Sequence, residues 1–581
     1  MSAIRQKRWP VLLMAALLTL FLLPTAASAA EPPSLTVDGV DALTTFSGEG
    51  WSYDSAQNTL TLDGYNGGSI VASYMDLKVV LAKGSANCIS TTEEYGIATV
   101  QDPFDGPYFS LQIEGGEGSS LSITAANHAI FAYGSISMDN CNLTAENTTS
   151  SAVTGEMECI SSHSTISISG STLAVTTNGV GITCYDEQTI TGSNITVDAG
   201  VIGIHANNEN LYITDTVLDV VGKTAALYSY FGTIHLTGCS GELEAGTAAI
   251  YAQNLNGDSD TELTDCTLTL TAPYGVMSYS GVQIQNGELT LNGGTGIYAY
   301  STSYDADTAV TGTAKVDGTG CDRAFLVYGD YSCQDTAVVN GVVHQNQGDA
   351  ATEKIVLSGD VAISQDTAYS KAVVISQGAR VTVEPGVTFD LSGAPSVTNA
   401  GTLTNKGTLI LNGASTDNQG TIWNYSGITL ADGQSIVNSG TIYSACTSDF
   451  DLSPYGASGI VFHAGLVKQE AKDPTYTEDG NIAYWHCAGC GRYFLDEEGK
   501  VETTLADTVI PKLKDRIPTP GTSEDTGTAS DGGQSGGQSG SQPGGKPIPE
   551  TGGSGLSGWA SLFGVSVIAL AGAYAGGRKR K

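Results

Sequence analysis

Residues 188–230 read QTITGSNITVDAGVIGIHANNENLYITDTVLDVVGKTAALYSY, and the order of the short segments within them decides the fold. QTITG, NITVDA and VIGIHA are followed by NLYITD, VLDVVG and AALYSY, so one trio of segments occurs twice. Within each segment apolar residues alternate with others, the mark of a strand that buries one face. Each is too short to be stable by itself.

Working outward, the trio recurs between about 85 and 300. One series reads NLTAE from Asn142, TLAVTT from Thr172, NITVDA from Asn194, VLDVVG from Val217, TLTLTA from Thr267 and ELTLNG from Glu288. A second is marked by Ile130, Val153, Ile182, Ile204, Leu227, Ile250, Val276 and Ile297, spaced 21 to 29 residues apart. A third reads SISMD, STISISG, QTITG, NLYITD, GTIHLTG, TELTD and VQIQN. Three strands per repeat of a little over 20 residues predict an all-β solenoid, a parallel β-helix whose stacked coils bury a continuous column. The usual chirality of parallel crossovers makes it right-handed.

The turns carry Asp139-Asn140, Ser169-Gly170, Thr214-Asp215 and Asn286-Gly287, the residues that tight turns favour. Cys141, Ser171, Ser193, Thr216 and Cys266 share parity with the inward residues of the first series, which predicts a ladder of small side chains at one corner. Most of the eleven cysteines then serve as small buried residues, since an odd, scattered set is no disulfide framework. After 300 the pattern changes without stopping. Asn399, Asn405, Asn418 and Asn438 each open N-x-G-T, and asparagines stacked in such turns can hydrogen-bond along a column.

The ends of the chain speak to location. Arg5, Lys7 and Arg8 precede the apolar run VLLMAALLTLFLL and the small-residue exit ASAA, the order of a secretory signal peptide cleaved after Ala29 or Ala30. At the far end Leu556–Ala575 is long and apolar enough to cross a bilayer. Arg578, Lys579, Arg580 and Lys581 follow it and would stay on the cytoplasmic side. Just upstream stands Ile548-Pro549-Glu550-Thr551-Gly552.

Pentapeptide, apolar span and basic tail in this order resemble the LPxTG sorting signal of Gram-positive surface proteins, with Ile548 in place of leucine. The resemblance implies that a sortase cysteine attacks the carbonyl of Thr551, releases Gly552 onward, and joins the chain covalently to peptidoglycan. The protein would then be extracellular and would span the membrane only before sorting. The phrase GEGWSYDSAQNTLTLDGYNGGSI, from Gly48, is similar to one in Firmicutes surface proteins with the same kind of helix. There it caps the first coil, which gives Trp51 and Tyr53 a covering role here.

Residues 460–513 include GNIAYWHCAGCGRYF, which resembles a short repeat of clostridial surface proteins. Cys487 and Cys490 have the spacing of a zinc knuckle, and His463 is a candidate third ligand. The related modules carry a further cysteine where this chain has Tyr476. The readings left open are a structural zinc site and an inert or disulfide-linked pair. Residues 514–547, rich in Gly, Ser, Gln and Pro, read as a disordered tether.

The expected organisation is thus a signal peptide at 1–30, a cap at 31–84, a β-helix at 85–305 and continuing coils at 306–455. The small C-x-x-C module at 460–513, the wall-spanning linker at 514–547 and the sorting signal at 548–581 complete it.

Three functional classes compete. Net charge is −36, and Lys223 is the only basic residue between Lys83 and Lys315, which argues against nucleic acid as a partner. The same scarcity argues against a polysaccharide-degrading β-helix enzyme of the uronate lyase kind, which needs a cation as base. Asp139, Asp215 and Asp265 invite comparison with the carboxylates of inverting glycosidases. They fall in one turn of different coils, where aspartate is ordinary turn chemistry. No catalytic residue is assigned, and the expectation is a protein without catalysis. Tyr228, Tyr230, Tyr251, Tyr279, Tyr298 and Tyr300, with Tyr274, cluster on and just after the second strand. With one of each pair outward they would form an exposed aromatic strip for glycans or a host surface. A passive surface stalk is the alternative.

Overall fold

The computed structural model describes residues 32–101, 108–149, 157–254, 260–301, 306–346 and 353–514. The chain is a β-solenoid of about 16 turns, 57% strand and 4% helix. One coil runs through strands Asn194–Ala199, Ile202–Ala206 and Leu211–Thr214. Each pairs in parallel, in register, with its counterpart in the next coil, Val217–Gly222, Ala225–Ser229 and Ile234–Thr237. Alternation sends Ile195, Val197, Ile204, Leu211 and Ile213 inward, and all are buried.

The second strands stack one apolar side chain per coil: Ile70, Ile97, Ile130, Ile160, Ile182, Ile204, Leu227, Ile250, Val276, Ile297, Phe325 and Val343. All of these are fully buried. Val153, which the sequence spacing put in this series, lies outside the described residues, and Ile160 fills its rung. An insertion before Glu158 lengthens that coil and misleads a count of spacings.

The corner ladder forms as expected. The backbone N–H groups of Cys141, Ser171 and Ser193 donate to the hydroxyls of Ser171, Ser193 and Thr216 at 3.0, 3.1 and 3.4 Å. Cys239 joins between Thr216 and Cys266, and all the cysteines of the ladder are buried. From Asn140 onward the turn before the ladder takes a left-handed residue in coil after coil. Asn140, Asp215, Asp265 and Asn286 fill it with φ of 50 to 57°, and Gly170, Gly192, Gly238 and Gly312 fill it elsewhere. These residue types tolerate that conformation best. The turn equivalent of Asp215 and Asp265 is therefore Asn140, not Asp139.

Antiparallel pairs close the first end. Ser34–Val37 runs against Ile70–Ser73, and Trp51–Asp54 against Thr59–Leu62, with Trp51 and Tyr53 buried. These strands cover an edge that would otherwise invite pairing with another chain.

The first core does not stop at 305 but continues through Val343. There Val338–Gln345 pairs antiparallel with Lys354–Ser358. Val343 and Val356 face the first core, whereas Ile355 and Leu357 face a second, which also takes in Val342. Strand direction and core face reverse together, so the winding sense is conserved across the junction. The second column carries its chain to Tyr455.

The asparagines behave as stacked hydrogen-bonders, but in two columns. Asn399 donates to Asn418 and Asn418 to Asn438, each at 2.6 Å. Asn405 instead meets Asn424, which stands outside the N-x-G-T motif, at 2.9 Å.

A small antiparallel sheet of Leu466–Gln469, Tyr484–Cys487, Tyr493–Phe494 and Glu502–Thr503 follows. Among the described residues no helix is long and apolar enough to cross a membrane. The signal peptide, the tether beyond Lys514, the apolar span and Ile548–Gly552 lie outside the described residues.

Candidate metal centre and aromatic strip

From His205 onward the residue after each buried rung of the second strand points outward and is only partly covered. His205, Tyr228, Tyr251, Met277 and Tyr298 are consecutive members of that outer column. Two residues further on, Tyr230, Tyr279, Tyr300 and Tyr328 form a flanking column, each donating its N–H to the preceding coil. Both tyrosines of a pair therefore face out, because positions two apart share a face. The expectation of one outward ring per pair is corrected by this parity.

The rings lock together. Tyr228 lies 5.0 Å from Tyr251, Tyr251 6.1 Å from Tyr279, Tyr279 6.2 Å from Tyr300, and Tyr298 6.0 Å from Tyr300, centroid to centroid. Tyr228 is 6.3 Å from Tyr230, and Tyr274 packs 5.5 Å from Tyr298. The Tyr228 hydroxyl donates to Gln253 at 2.7 Å, and Gln253 donates to the Tyr251 hydroxyl at 3.1 Å. All of these rings are half-buried rather than exposed. Burial pushes the Tyr228 and Tyr298 hydroxyls up to about 12 and raises Tyr251 as well. These three hydroxyls are thus neutral near pH 7, and the strip offers ring edges beside hydroxyl donors and acceptors.

At the other end of the shaft four ligand groups converge. Cys446 directly follows the strand Thr441–Ala445, and its N–H donates to Phe462 O at 2.9 Å. His463 directly follows Gly459–Phe462. Cys487 ends its strand, and a tight turn brings Cys490 back, with Gly491 N–H on Cys487 O at 2.8 Å. The sulfurs of Cys446 and Cys487 are 3.5 Å apart, and Cys490 Sγ is 3.3 Å from His463 Nδ1. All four ligand atoms lie within 4.8 Å of one another. The described cysteines are free.

Gly489 makes this approach feasible. A Cβ there would come within 2.7 Å of Thr447 and rest on the sulfurs of Cys487 and Cys446. Burial, then the neighbouring thiols of Cys487 and Cys490, push Cys446 up to about 12. Burial opposes ionisation of Cys487 too, but donors from Cys490, Cys446 and Gly489 outweigh it and bring the thiol below its usual value. Burial, then the charge of Arg492, lowers His463, which favours a neutral imidazole at pH 7.

Sequence reasoning brought together Cys487, Cys490 and His463 but missed Cys446, which it placed in the last coils. One signal was available: after Cys333 the chain holds only Cys446, Cys487 and Cys490. No family model, curated protein or solved structure matches the chain.

Proposed function

We propose that this is a wall-anchored surface protein whose right-handed β-helix binds carbohydrate or a host mucosal surface through the tyrosine strip, without catalysis. The observation that carries the reading is the unbroken run of Tyr228, Tyr230, Tyr251, Tyr279, Tyr298 and Tyr300 over successive coils. Neutral hydroxyls beside apolar ring edges suit a sugar, which presents both polar and apolar edges. A run spanning several coils suits a chain of sugars rather than one.

Sorting of Ile548-Pro549-Glu550-Thr551-Gly552 by sortase supplies the attachment to peptidoglycan, and the shaft holds the strip away from the wall. Removal of the signal peptide and of the chain beyond Thr551 takes away basic residues and no acidic one, so the displayed protein is more acidic still. Wall fragments released from producing cells should carry the chain ending at Thr551. A product that retains the basic tail removes the anchoring half of the reading.

For binding, the mature protein is tested on a glycan array beside Tyr251→Ala and Tyr298→Ala. Retention by the wild type and loss in both variants supports the strip as the site. The stalk reading draws on the mutual packing of the rings, which also serves as a stiffening device. A wild type that binds no glycan and no mucin favours the stalk.

A further inference from the structure

We propose that Cys446, His463, Cys487 and Cys490 hold a structural zinc ion that fastens the small C-terminal module to the end of the solenoid. A tetrahedral zinc with Zn–S bonds of about 2.3 Å and a Zn–N bond of about 2.0 Å sets its ligand atoms roughly 3.5–3.8 Å apart. The observed pairs at 3.5 and 3.3 Å, with all four atoms inside 4.8 Å, already approximate that tetrahedron. Three soft thiolates and one imidazole select zinc over calcium or magnesium, and four protein ligands leave no open position for catalysis.

A second observation is independent of the ligand geometry. Between His463 and Lys514 the only buried apolar side chains are Cys487 and Phe494. A module of this size cannot close on so small a core, and small domains in that position are stapled by metals or disulfides. A Cys446–Cys487 disulfide would leave Cys490 and His463 facing each other to no purpose. The sulfur separation is also far from a bond of about 2.05 Å.

Because Cys446 and His463 leave the two paired strands Thr441–Ala445 and Gly459–Phe462 of the last coils while Cys487 and Cys490 lie in the module, the ion clasps two units of structure rather than stabilising one. Binding releases the thiol protons to solvent and involves no change of redox state. Phe494 packs 4.3 Å from His463 and shields that side of the site.

The test uses the full chain, purified with reductant, stripped by chelator and titrated with zinc alone, with cobalt(II) as a spectroscopic probe. One equivalent of zinc and the visible bands of a tetrahedral cobalt–thiolate site are expected. Cys446→Ser should weaken zinc by more than the ~10–100-fold that a merely supporting residue costs. Cys333→Ser, at an exposed cysteine outside the cluster, should change nothing. Chelation should open the 463–514 module to protease while the far-ultraviolet signal of the solenoid persists. If Cys446→Ser misfolds, Cys490→Ser and metal analysis of the wild type still decide. The proposal is overturned by the absence of stoichiometric zinc, by unchanged binding in Cys446→Ser or Cys490→Ser, or by a Cys446–Cys487 disulfide in protein kept from air.

Discussion

Asn405 donates through Nδ2 to Oδ1 of Asn424, one coil further on, at 2.9 Å, with both side chains fully buried. Asn424 in turn donates to Ser444 and Ser448 at 3.0 and 2.8 Å. A buried amide tolerates its position only while its partners are present. Asn424→Ala should therefore destabilise the second column by about 1–3 kcal/mol. Urea denaturation reads this, and the paired change Asn405→Leu with Asn424→Leu should cost less than the two single changes added together.

His205 stacks on Tyr228 with ring centroids 4.9 Å apart and planes 19° from parallel. Its Nε2 is buried without a partner, and burial lowers its pKa to about 4 from 6.5. The unfolded chain takes up this proton below about pH 6.5, the folded chain only near 4. The neutral-His stability is thus complete above pH 6.5 and lost as pH falls toward 4, by roughly 2–3 kcal/mol. His205→Gln should flatten that part of a stability–pH curve, and an unchanged slope in the variant refutes the assignment.

Tyr251 separates ring from hydroxyl. Its hydroxyl accepts from Gln253 at 3.1 Å and lies 3.5 Å from that of Tyr279, while its ring packs on Tyr228. Under the proposed function Tyr251→Phe should keep part of the glycan binding and Tyr251→Ala should abolish it. Equal loss in both would place recognition in the hydroxyl network rather than in stacking.

Asp215 and Asp265 sit in left-handed turns with φ of 50° and 54°. Asp215→Gly should be tolerated, whereas Asp215→Ala should cost about 1–2 kcal/mol, read by thermal or chemical unfolding. The opposite order would mean that the carboxylate itself matters and would reopen a chemical role for this corner.

The solenoid was legible because its rules are local. Alternation within Asn194–Ala199 and recurrence one coil later are visible in the chain, and each rung meets its equivalent in the next repeat. The reading slipped where periodicity lapsed. Ile160 holds the rung between Ile130 and Ile182 that the spacing gave to Val153, and Asn405 left the column of its look-alikes because its partner Asn424 carries no matching motif. The tyrosine cluster was visible too, but its half-burial comes from ring packing between coils.

What the sequence determined by itself was the repeated coil, its inward residues and its turn chemistry, since each depends on neighbours at a constant spacing. What only the tertiary structure decided was the switch of core at Val343 and Val356 and the meeting of Cys446 with Cys487. Both arise where one packed unit ends against another. No repeat spacing encodes such an encounter, because it depends on how two surfaces come to rest together.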